Sequence, residues 1–229
     1  MAPTSGCYHR AMTFQPLFPH LTGDNLAVGW APFDALQGES DPDEWQDIAN
    51  AAPPRQKEFI AGRQLVRALS ESLSLPRHAL RRAEDRSPVW PGDRTGGLSH
   101  CKTLCAAAVG RHPHYRGVGI DIETIGRVDS KLWPTLFTDS EINYFTSVEP
   151  ALRDAETTVF FSAKEAFYKC QYPMTQQWVG FQDVELQRVD SATLAIKPAK
   201  RDAQLWHQPP IHSSQVDAAH IVTLMLIPA

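Results

Sequence analysis

An α+β fold made of two similar lobes in a pseudo-twofold arrangement is the architecture that the sequence predicts. The order strand, short helix, long helix and then several strands occurs twice along the 229 residues. Glycine and proline separate the strands, which favours antiparallel sheets with helices packed against them. We expect the lobes to meet near residue 115, as domains 1–115 and 116–229, with a ligand site in the cleft between them.

The first lobe is predicted to begin with a strand at 25–33 and a short acidic helix at 41–48. A long helix follows, because Pro53 and Pro54 suit a helix start, where a missing N–H costs nothing, and Pro76 ends the apolar pattern. The apolar positions at helical spacing are Phe59, Gly62, Val66, Leu69 and Leu73. Further extended segments are predicted at 88–90, 97–100 and 104–109.

The second lobe is predicted to start with the sequence GVGIDIE, a strand at 117–123. Two helices follow at 139–146 and 156–172, and Pro173 is expected to end the longer one. The remaining predicted strands are 182–189, 192–197, one near Leu205, and 219–227.

Composition and charge argue against two classes of partner. The net charge is −4 at pH 7, which gives no support for nucleic-acid binding. The longest apolar segment, 221–228, is far shorter than the roughly 20 residues of a membrane span. The first residues, MAPTSGCYHRAMTFQP, lack the pattern of a secretory signal. We therefore expect a cytoplasmic protein without a membrane or nucleic-acid partner.

The cysteines are too sparse for a disulfide scaffold, and in a reducing compartment they are expected to be free thiols. They are Cys7, Cys101, Cys105 and Cys170. A zinc site is the alternative, because Cys101 and Cys105 with His112 and His114 would complete a tetrahedral ligand set. Against it, the C-x3-C spacing is looser than the usual C-x2-C, and the residues after Cys105 are typical of a buried strand.

Three acidic residues form a candidate metal site. Asp121 and Glu123 are two residues apart on a strand, so their carboxylates project from the same face. Glu165 lies about 180° from the apolar stripe of its helix and faces away from the lobe's core. Carboxylates without a neighbouring histidine or thiol suit Mg²⁺. A solvated polar face is the alternative for the two strand residues.

Basic residues near this site have two interpretations each. Lys169, four residues after Glu165, either forms a surface ion pair with it or holds a phosphate in the cleft; Lys164 is the weaker candidate. Arg55 and Arg63 are about 12 Å apart along one helix, with Arg67 a turn beyond. Such a row suits phosphates, although exposed helices also carry arginine for solubility.

Ser99 and His100 end a predicted strand directly after a pair of glycines, where a backbone and an imidazole can approach a ligand closely. The two do not form a hydrolase dyad, because adjacent strand residues face opposite ways and no G-x-S-x-G surrounds the serine. His100 is interpreted either as a phosphate contact or as a structural histidine.

Together these segments resemble the Sfp-type phosphopantetheinyl transferases, especially the branch that serves siderophore synthases. The resemblance covers roughly residues 50 to 190, and G-[IV]-D-x-E followed about forty residues later by S-x-K-E-A-x-x-K is its specific signature. The matching segments are RQKEFIAGRQLVRAL at 55–69, DRSPVWPGDRTGGLSHC at 85–101, GVGIDIE at 117–123, FSAKEAFYKCQYPMT at 161–175 and WVGFQDVEL at 178–186.

The resemblance implies two fused α+β lobes with coenzyme A between them and magnesium on Asp121, Glu123 and Glu165. It further implies transfer of phosphopantetheine to a carrier-protein serine, with Glu165 or a water as general base and Lys169 stabilising phosphate charge. The implied coenzyme A contacts are Arg55, Arg63, Arg86, Ser87, Pro88, Ser99, His100 and Lys169. Relatives often carry a lysine where this chain has Asp85.

Two further expectations follow from the resemblance. Fused lobes supply the interface that a one-lobe enzyme obtains by oligomerising, so a monomer is expected. The acyl or peptidyl carrier protein can belong to fatty-acid, polyketide or nonribosomal peptide assembly. The alternative from another class is a non-catalytic module that binds coenzyme A or a carrier protein, and such a module would be expected to have a broken acidic triad.

Overall fold

A computed structural model describes residues 14–36, 38–198 and 209–229. It contains a 4-stranded and a 5-stranded antiparallel sheet, each covered by one long helix, so the predicted α+β class is confirmed. The first sheet consists of β1 (Gln15–Pro16), β2 (Leu26–Pro32), β3 (Arg94–His100) and β4 (Leu104–Arg111), in the spatial order β1-β2-β4-β3.

The strands of the second sheet include one that the sequence did not predict. They are β5 (Tyr115–Thr124), β6 (Val184–Asp190), β7 (Thr193–Pro198), β8 (Ile211–Gln215) and β9 (His220–Pro228), in the spatial order β5-β9-β8-β7-β6. Strand β8 has the sequence IHSSQ, whose polar residues give no strand signal, and its pairing with β9 keeps it extended. The strand predicted near Leu205 falls outside the described residues. The segment predicted at 88–90 is not a strand, because only Pro88 forms an isolated bridge, to Arg82.

The helices of the first lobe begin and end close to the predicted residues. Helix α1 (Pro42–Gln46) starts after Asp41, whose side chain accepts a hydrogen bond from the Asp43 N–H at 3.0 Å. Helix α2 (Pro53–Ser72) has proline in its first turn, as expected, and all five predicted apolar positions are buried. Helix α2 packs on β4, and this contact forms the core of the first lobe.

The second lobe contains α3 (Trp133–Leu136), α4 (Asp139–Ser147) and α5 (Pro150–Thr175). The predicted bounds of α5 were wrong, because the helix starts at Pro150 and continues through Pro173. Pro173 has no N–H to donate to the Lys169 carbonyl, and the helix continues for only two residues beyond it, to Thr175. The C-cap residue Gln176 has a left-handed backbone (φ 54°) and donates its N–H to the Tyr172 carbonyl at 2.8 Å.

The two sheets pack against each other through a third apolar cluster. Ala106 and Ala108 of β4 meet Ile120 and Ile122 of β5 in this cluster, which also includes Leu224 of β9. Strand β3 also contacts β5, and a Cβ at Gly97 would lie 2.9 Å from the Ile120 nitrogen. Glycine at this position therefore permits the close approach that brings the ends of β3 and β5 together. The domain boundary at 115/116 stays a prediction.

In the described parts of the chain, no helix combines the length and the apolar character needed to cross a bilayer. The longest helix, α5, is amphipathic, because it buries Phe160, Ala163, Phe167 and Cys170 against the second sheet. Glu165 and Lys169 lie on its other side, toward the first lobe. The opposite faces of α5 thus serve the core and the space between the lobes.

Candidate functional site

A cleft of about 330 Å³ lies between the lobes. A loop of the first lobe, strand β3 and helix α5 contribute its walls. Five residues singled out from the sequence line the cleft, and they are Arg86, Ser87, Pro88, Glu165 and Lys169. The cleft therefore brings together residues that lie more than eighty positions apart in the chain.

A hydrogen-bonded network of three side chains joins the lobes beside this cleft. Ser99 of β3 donates its hydroxyl to Asp121 Oδ1 of β5 at 2.7 Å. Lys169 of α5 donates to the same Oδ1 at 2.6 Å and to Ser99 Oγ at 3.0 Å. Burial disfavours the ammonium, but the carboxylates of Asp121 and Glu165 outweigh it and raise the pKa of Lys169. Lys169 thus stays charged and points into the cleft; its ion pair is with Asp121 rather than with Glu165.

Two carboxylate oxygens near this network are buried and accept no hydrogen bond from a described residue, and they are Asp121 Oδ2 and Glu123 Oε2. Arg127 Nη1 lies 3.3 Å from Glu123 Oε2 without hydrogen-bond geometry. Burial, with help from Asp121, raises the pKa of Glu123 to about 7. Burial also raises the pKa of Glu165, against the opposing charge of Lys169. Burial and the mutual repulsion of these carboxylates favour binding of a further cation beside Lys169.

The donor set fits magnesium bound together with a phosphate ligand, and not a site formed by the protein alone. Within residues 14–36, 38–198 and 209–229, no three His, Cys, Asp or Glu side chains lie close enough together to hold one ion. Mg²⁺ characteristically uses one or two carboxylates and completes its octahedron with water and substrate phosphate. The free oxygens of Asp121 and Glu123 match that requirement, and Glu165 lies on the adjoining wall.

His100 and Arg55 form a second polar contact of the first lobe. Arg55 Nη1 lies 2.7 Å from His100 Nε2 and 2.9 Å from Glu58 Oε2. Since guanidinium can only donate, His100 Nε2 is the acceptor and the imidazole is neutral. Burial lowers the pKa of His100, with Glu58 opposing it, in agreement with the neutral form. Arg55, whose side chain is 47% exposed, remains open to a ligand.

The alternative of a solvent-exposed arginine face on α2 is wrong beyond Arg55, because Arg63 and Arg67 are buried. The Arg63 guanidinium lies 3.5 Å above the Phe59 ring and donates Nε–H to the Leu80 carbonyl at 3.2 Å. Arg67 forms an ion pair with Glu44 of α1. The spacing of the arginines along α2 was predicted correctly. That spacing contains no information on helix α1 and the chain at Leu80, which cover this face of α2.

The loop before Pro88 is held by its own side chains. Asp85 Oδ1 accepts hydrogen bonds from the Ser87 N–H at 2.9 Å and the Ser87 hydroxyl at 2.6 Å. Arg86 lies between them with a left-handed backbone (φ 71°) and exposes its side chain to the cleft. Asp85 therefore orders the loop that forms this wall of the cleft.

Sequence reasoning missed three aromatic residues that line the cleft, Trp90, Tyr168 and Tyr172. The rings of Tyr168 and Tyr172 stack at a centroid distance of 5.2 Å. Their separation of four residues on α5 was a signal, because such residues lie on the same side of a helix. Neither ring belongs to the apolar core cluster of the second lobe.

The zinc alternative is wrong. Cys105 lies near the start of β4 and His112 just beyond its end, so the two are roughly 23 Å apart at about 3.3 Å per strand residue. Cys101 and Cys105 are buried, and burial raises the pKa of Cys105 to about 12, which opposes the thiolate that zinc requires. Cys7 lies outside the described residues.

Comparison with known proteins gave matches over most of the chain. Residues 43–110 match the 4′-phosphopantetheinyl transferase N-terminal domain, and residues 117–223 match the 4′-phosphopantetheinyl transferase superfamily. The chain is 30% identical over 145 residues to 4′-phosphopantetheinyl transferase Npt of Nocardia iowensis, covering 63% of this chain and 64% of that protein. It is 34% identical over 145 residues to enterobactin synthase component D of Escherichia coli K12, covering 62% and 66%.

The matches thus span just under two thirds of these relatives. For 4′-phosphopantetheinyl transferase PptT of Mycobacterium tuberculosis the identity is 31%, with 63% of each protein covered. Among solved structures, holo-[acyl-carrier-protein] synthase of Thermotoga maritima matches 49% of this chain and 62% of its own, with a TM-score of 0.40 and 24% identity.

Proposed function

The chain belongs to the 4′-phosphopantetheinyl transferase superfamily, and from this premise we propose that it transfers 4′-phosphopantetheine from coenzyme A to a serine of an acyl or peptidyl carrier protein. The observation that supports the proposal is the cleft between the lobes. One site there contains the Asp85–Pro88 loop, Ser99, Asp121, Glu165 and Lys169. A ligand with both a nucleotide and phosphates matches such a cleft.

Coenzyme A would lie with its adenosine along the loop formed by Arg86, Ser87 and Pro88. Arg55 is open to solvent at the edge of the first lobe and would contact the nucleotide's phosphate. Lys169 and His100 would contact the phosphates nearer the second lobe, with Ser99 beside them. Arg63 is buried and holds Phe59 and Leu80 in place through its ring contact and its Nε–H. Its remaining N–H groups would contact the ligand. We further propose that residues 1–115 supply the nucleotide contacts and residues 116–229 the metal ligands.

Asp121, Glu123 and Glu165 would hold Mg²⁺ together with the substrate. When bound, magnesium would neutralise the pyrophosphate of coenzyme A and so lower the cost of charge development in phosphoryl transfer. The two unpartnered oxygens of Asp121 and Glu123 support this role. Ser99 orients Asp121 through its hydrogen bond to Oδ1, which leaves Oδ2 free.

Residues of this chain would accept the proton of the carrier serine and stabilise the charge on the transferring phosphate. A carrier serine hydroxyl attacks the β-phosphorus of coenzyme A, forming the serine O–P bond and breaking the P–O bond to 3′,5′-ADP. Glu165, directly or through a water, accepts the serine proton, and its raised pKa brings it toward that of an effective base. Lys169 stabilises negative charge on the transferring phosphate.

The fused lobes bury a shared apolar cluster, which supports the proposal that the protein acts as a monomer. We also propose that it acts in the cytoplasm, where coenzyme A and carrier proteins meet. The alternative of a non-catalytic binding module remains an outcome of the test below.

The test is intact mass spectrometry of apo carrier proteins after incubation with this chain, coenzyme A and Mg²⁺. We expect a gain of one phosphopantetheine, about 340 Da, that EDTA abolishes and excess Mg²⁺ restores. Fatty-acid and peptide-synthase carriers should be tried in parallel, together with a serine-to-alanine carrier as a control. Binding of coenzyme A without any mass gain across these carriers would favour the binding module.

A further inference from the structure

A second, much smaller cavity lies inside the first lobe, between α2, the chain around residues 75–80 and the start of β3. Its volume is about 20 Å³, and only Trp90 lines both it and the interlobe cleft. The residues whose side chains matter for its chemistry are Glu44, Arg63, Arg67, Ser70, Arg77 and Arg94. No predicted site residue other than Arg63 contributes to it.

Polar atoms of two lining residues have no hydrogen-bond partner among the described residues. They are Arg67 Nε, Arg67 Nη1 and Ser70 Oγ, and the two residues are only 8% and 4% exposed. The third nitrogen of the Arg67 guanidinium donates to Glu44. Arg67 and Ser70 are three residues apart on α2 and therefore share a face of the helix. Buried donors without an acceptor are costly, so a bound acceptor is expected here.

Charge around the cavity favours an anion over a water. Arg67 is neutralised by Glu44, and Arg94 by Asp93. Arg63, also buried, forms no ion pair within the part of the chain that the structure describes. Burial lowers its pKa to about 10, which still leaves it charged at neutral pH. At the exposed rim of the cavity, Glu71 and Arg77 carry opposite charges, so together they add no net charge.

We propose that this cavity binds one halide ion, with N–H groups of Arg67 and the Ser70 hydroxyl as its donors. A volume of about 20 Å³ accommodates a single particle of the size of a water and excludes sulfate or a phosphate ester. The ion compensates the unpaired charge of Arg63 and satisfies the free donors. It thereby stabilises the middle of α2, the helix that also carries Arg55. The site shares Arg63 with the proposed coenzyme A site, and halide binding can be measured in the absence of coenzyme A.

Thermal unfolding in sodium chloride and sodium gluconate at equal ionic strength tests the site in solution. Gluconate is too large for the cavity, so only chloride should stabilise. Each tenfold rise in chloride above its dissociation constant should raise the midpoint by roughly 3–6 °C for a chain of this size. Ser70→Ala should weaken this chloride dependence, and Ser72→Ala, an exposed serine on the same helix, should leave it unchanged.

Replacing Arg67 can unfold the protein because Glu44 would be left unpaired, so Ser70→Ala is the informative variant. Crystals soaked in bromide give a second readout, with an anomalous peak expected between Arg67 and Ser70. Equal midpoints in the two salts would overturn the proposal. A chloride effect that survives Ser70→Ala unchanged, or a cavity that holds only water in bromide, would overturn it as well.

Discussion

Lys169 Nζ lies 2.6 Å from Asp121 Oδ1, so the long helix of the second lobe is joined to the central acidic strand inside the cleft. The same ammonium reaches Ser99 of the first lobe at 3.0 Å. One cation therefore links three elements, β3, β5 and α5, at the wall of the cleft. The ion pair with Asp121 makes Lys169 part of the fold as well as part of the site.

Replacing Lys169 with methionine should therefore lower stability as well as transfer. Asp121 is buried and would be left with the Ser99 hydroxyl alone, so we expect a loss of about 2–3 kcal/mol in the free energy of unfolding. Urea titration followed by circular dichroism measures it. Lys57→Met, which removes an exposed ion pair with Asp34, should cost less than about 1 kcal/mol. Equal losses for the two variants would show that the Lys169 pair is only a surface contact.

Glu165→Gln should separate folding from chemistry. The amide keeps the size of the side chain but cannot accept the serine proton and is a weaker metal ligand. We expect the unfolding midpoint to stay within a few degrees of the wild type while the transfer rate falls at least about 100-fold. Glu149→Gln at the start of the same helix is the matched control and should keep full activity. Wild-type turnover by Glu165→Gln would remove Glu165 from the mechanism.

The two arginines of α2 should respond differently to alanine. Arg55 is half-exposed, so Arg55→Ala should weaken coenzyme A binding about tenfold, equivalent to ~1.4 kcal/mol, with little change in stability. Arg63→Ala removes a buried guanidinium, its bond to Leu80 and its contact with Phe59, and should lower both affinity and stability. Isothermal titration with coenzyme A and thermal unfolding measure the two effects. An unchanged dissociation constant of coenzyme A for Arg55→Ala would show that Arg55 is a solvated surface residue and does not contact the ligand.

The residues of the site could be placed on their elements from sequence because periodicity fixes which face of a strand or helix a side chain occupies. Asp121 and Glu123 share a face of β5, and Glu165 faces away from the core, as predicted. Periodicity contains no information on which elements come together. The partner of Lys169 is therefore Asp121, 48 residues away, rather than the neighbouring Glu165.

The same limit explains the first lobe. The sequence placed Arg67 one turn beyond Arg63 in a basic row, but its partner Glu44 lies 23 residues earlier on α1, which covers that side of α2. Strand β8 was missed because its extended state depends on pairing with β9 and not on its own apolar residues. Local signals therefore predicted the elements, and contacts between distant segments decided the burial and ion pairing of their side chains.

Gly119 controls how closely α5 approaches β5, so Gly119→Ala should displace the helix that carries Glu165 and Lys169. A Cβ at this position would collide with the Ala166 carbonyl and lie 2.6 Å from the Cys170 nitrogen. Backbone atoms cannot rotate away, and we expect a loss of about 3 kcal/mol together with reduced transfer. Gly92→Ala, where a Cβ has no atom within 4 Å, is the control. A fully stable Gly119→Ala would mean that helix and strand can separate without cost.

Lys164, the neighbour of Glu165, forms a fully buried ion pair with Glu141 at 2.7 Å. Its Nζ also donates to the carbonyls of Leu136 and Phe181, so all three ammonium protons are used. Lys164→Met should therefore cost about 3–5 kcal/mol, because it leaves the Glu141 carboxylate buried and without its cation. Chemical denaturation of Lys164→Met beside wild type measures the loss.

The double variant Glu141→Gln with Lys164→Met distinguishes charge pairing from packing. If the loss in Lys164→Met arises from an uncompensated carboxylate, removing that charge should recover a large part of it. The Glu141 carboxylate also accepts the N–H groups of Thr138 and Leu186, and the glutamine amide can replace only one of these two acceptors, so recovery should be incomplete. If the double variant is as unstable as Lys164→Met alone, the loss of stability arises from the missing hydrogen bonds to the Leu136 and Phe181 carbonyls. Lys164 would then stabilise the chain beside Glu165 through hydrogen bonding rather than through charge.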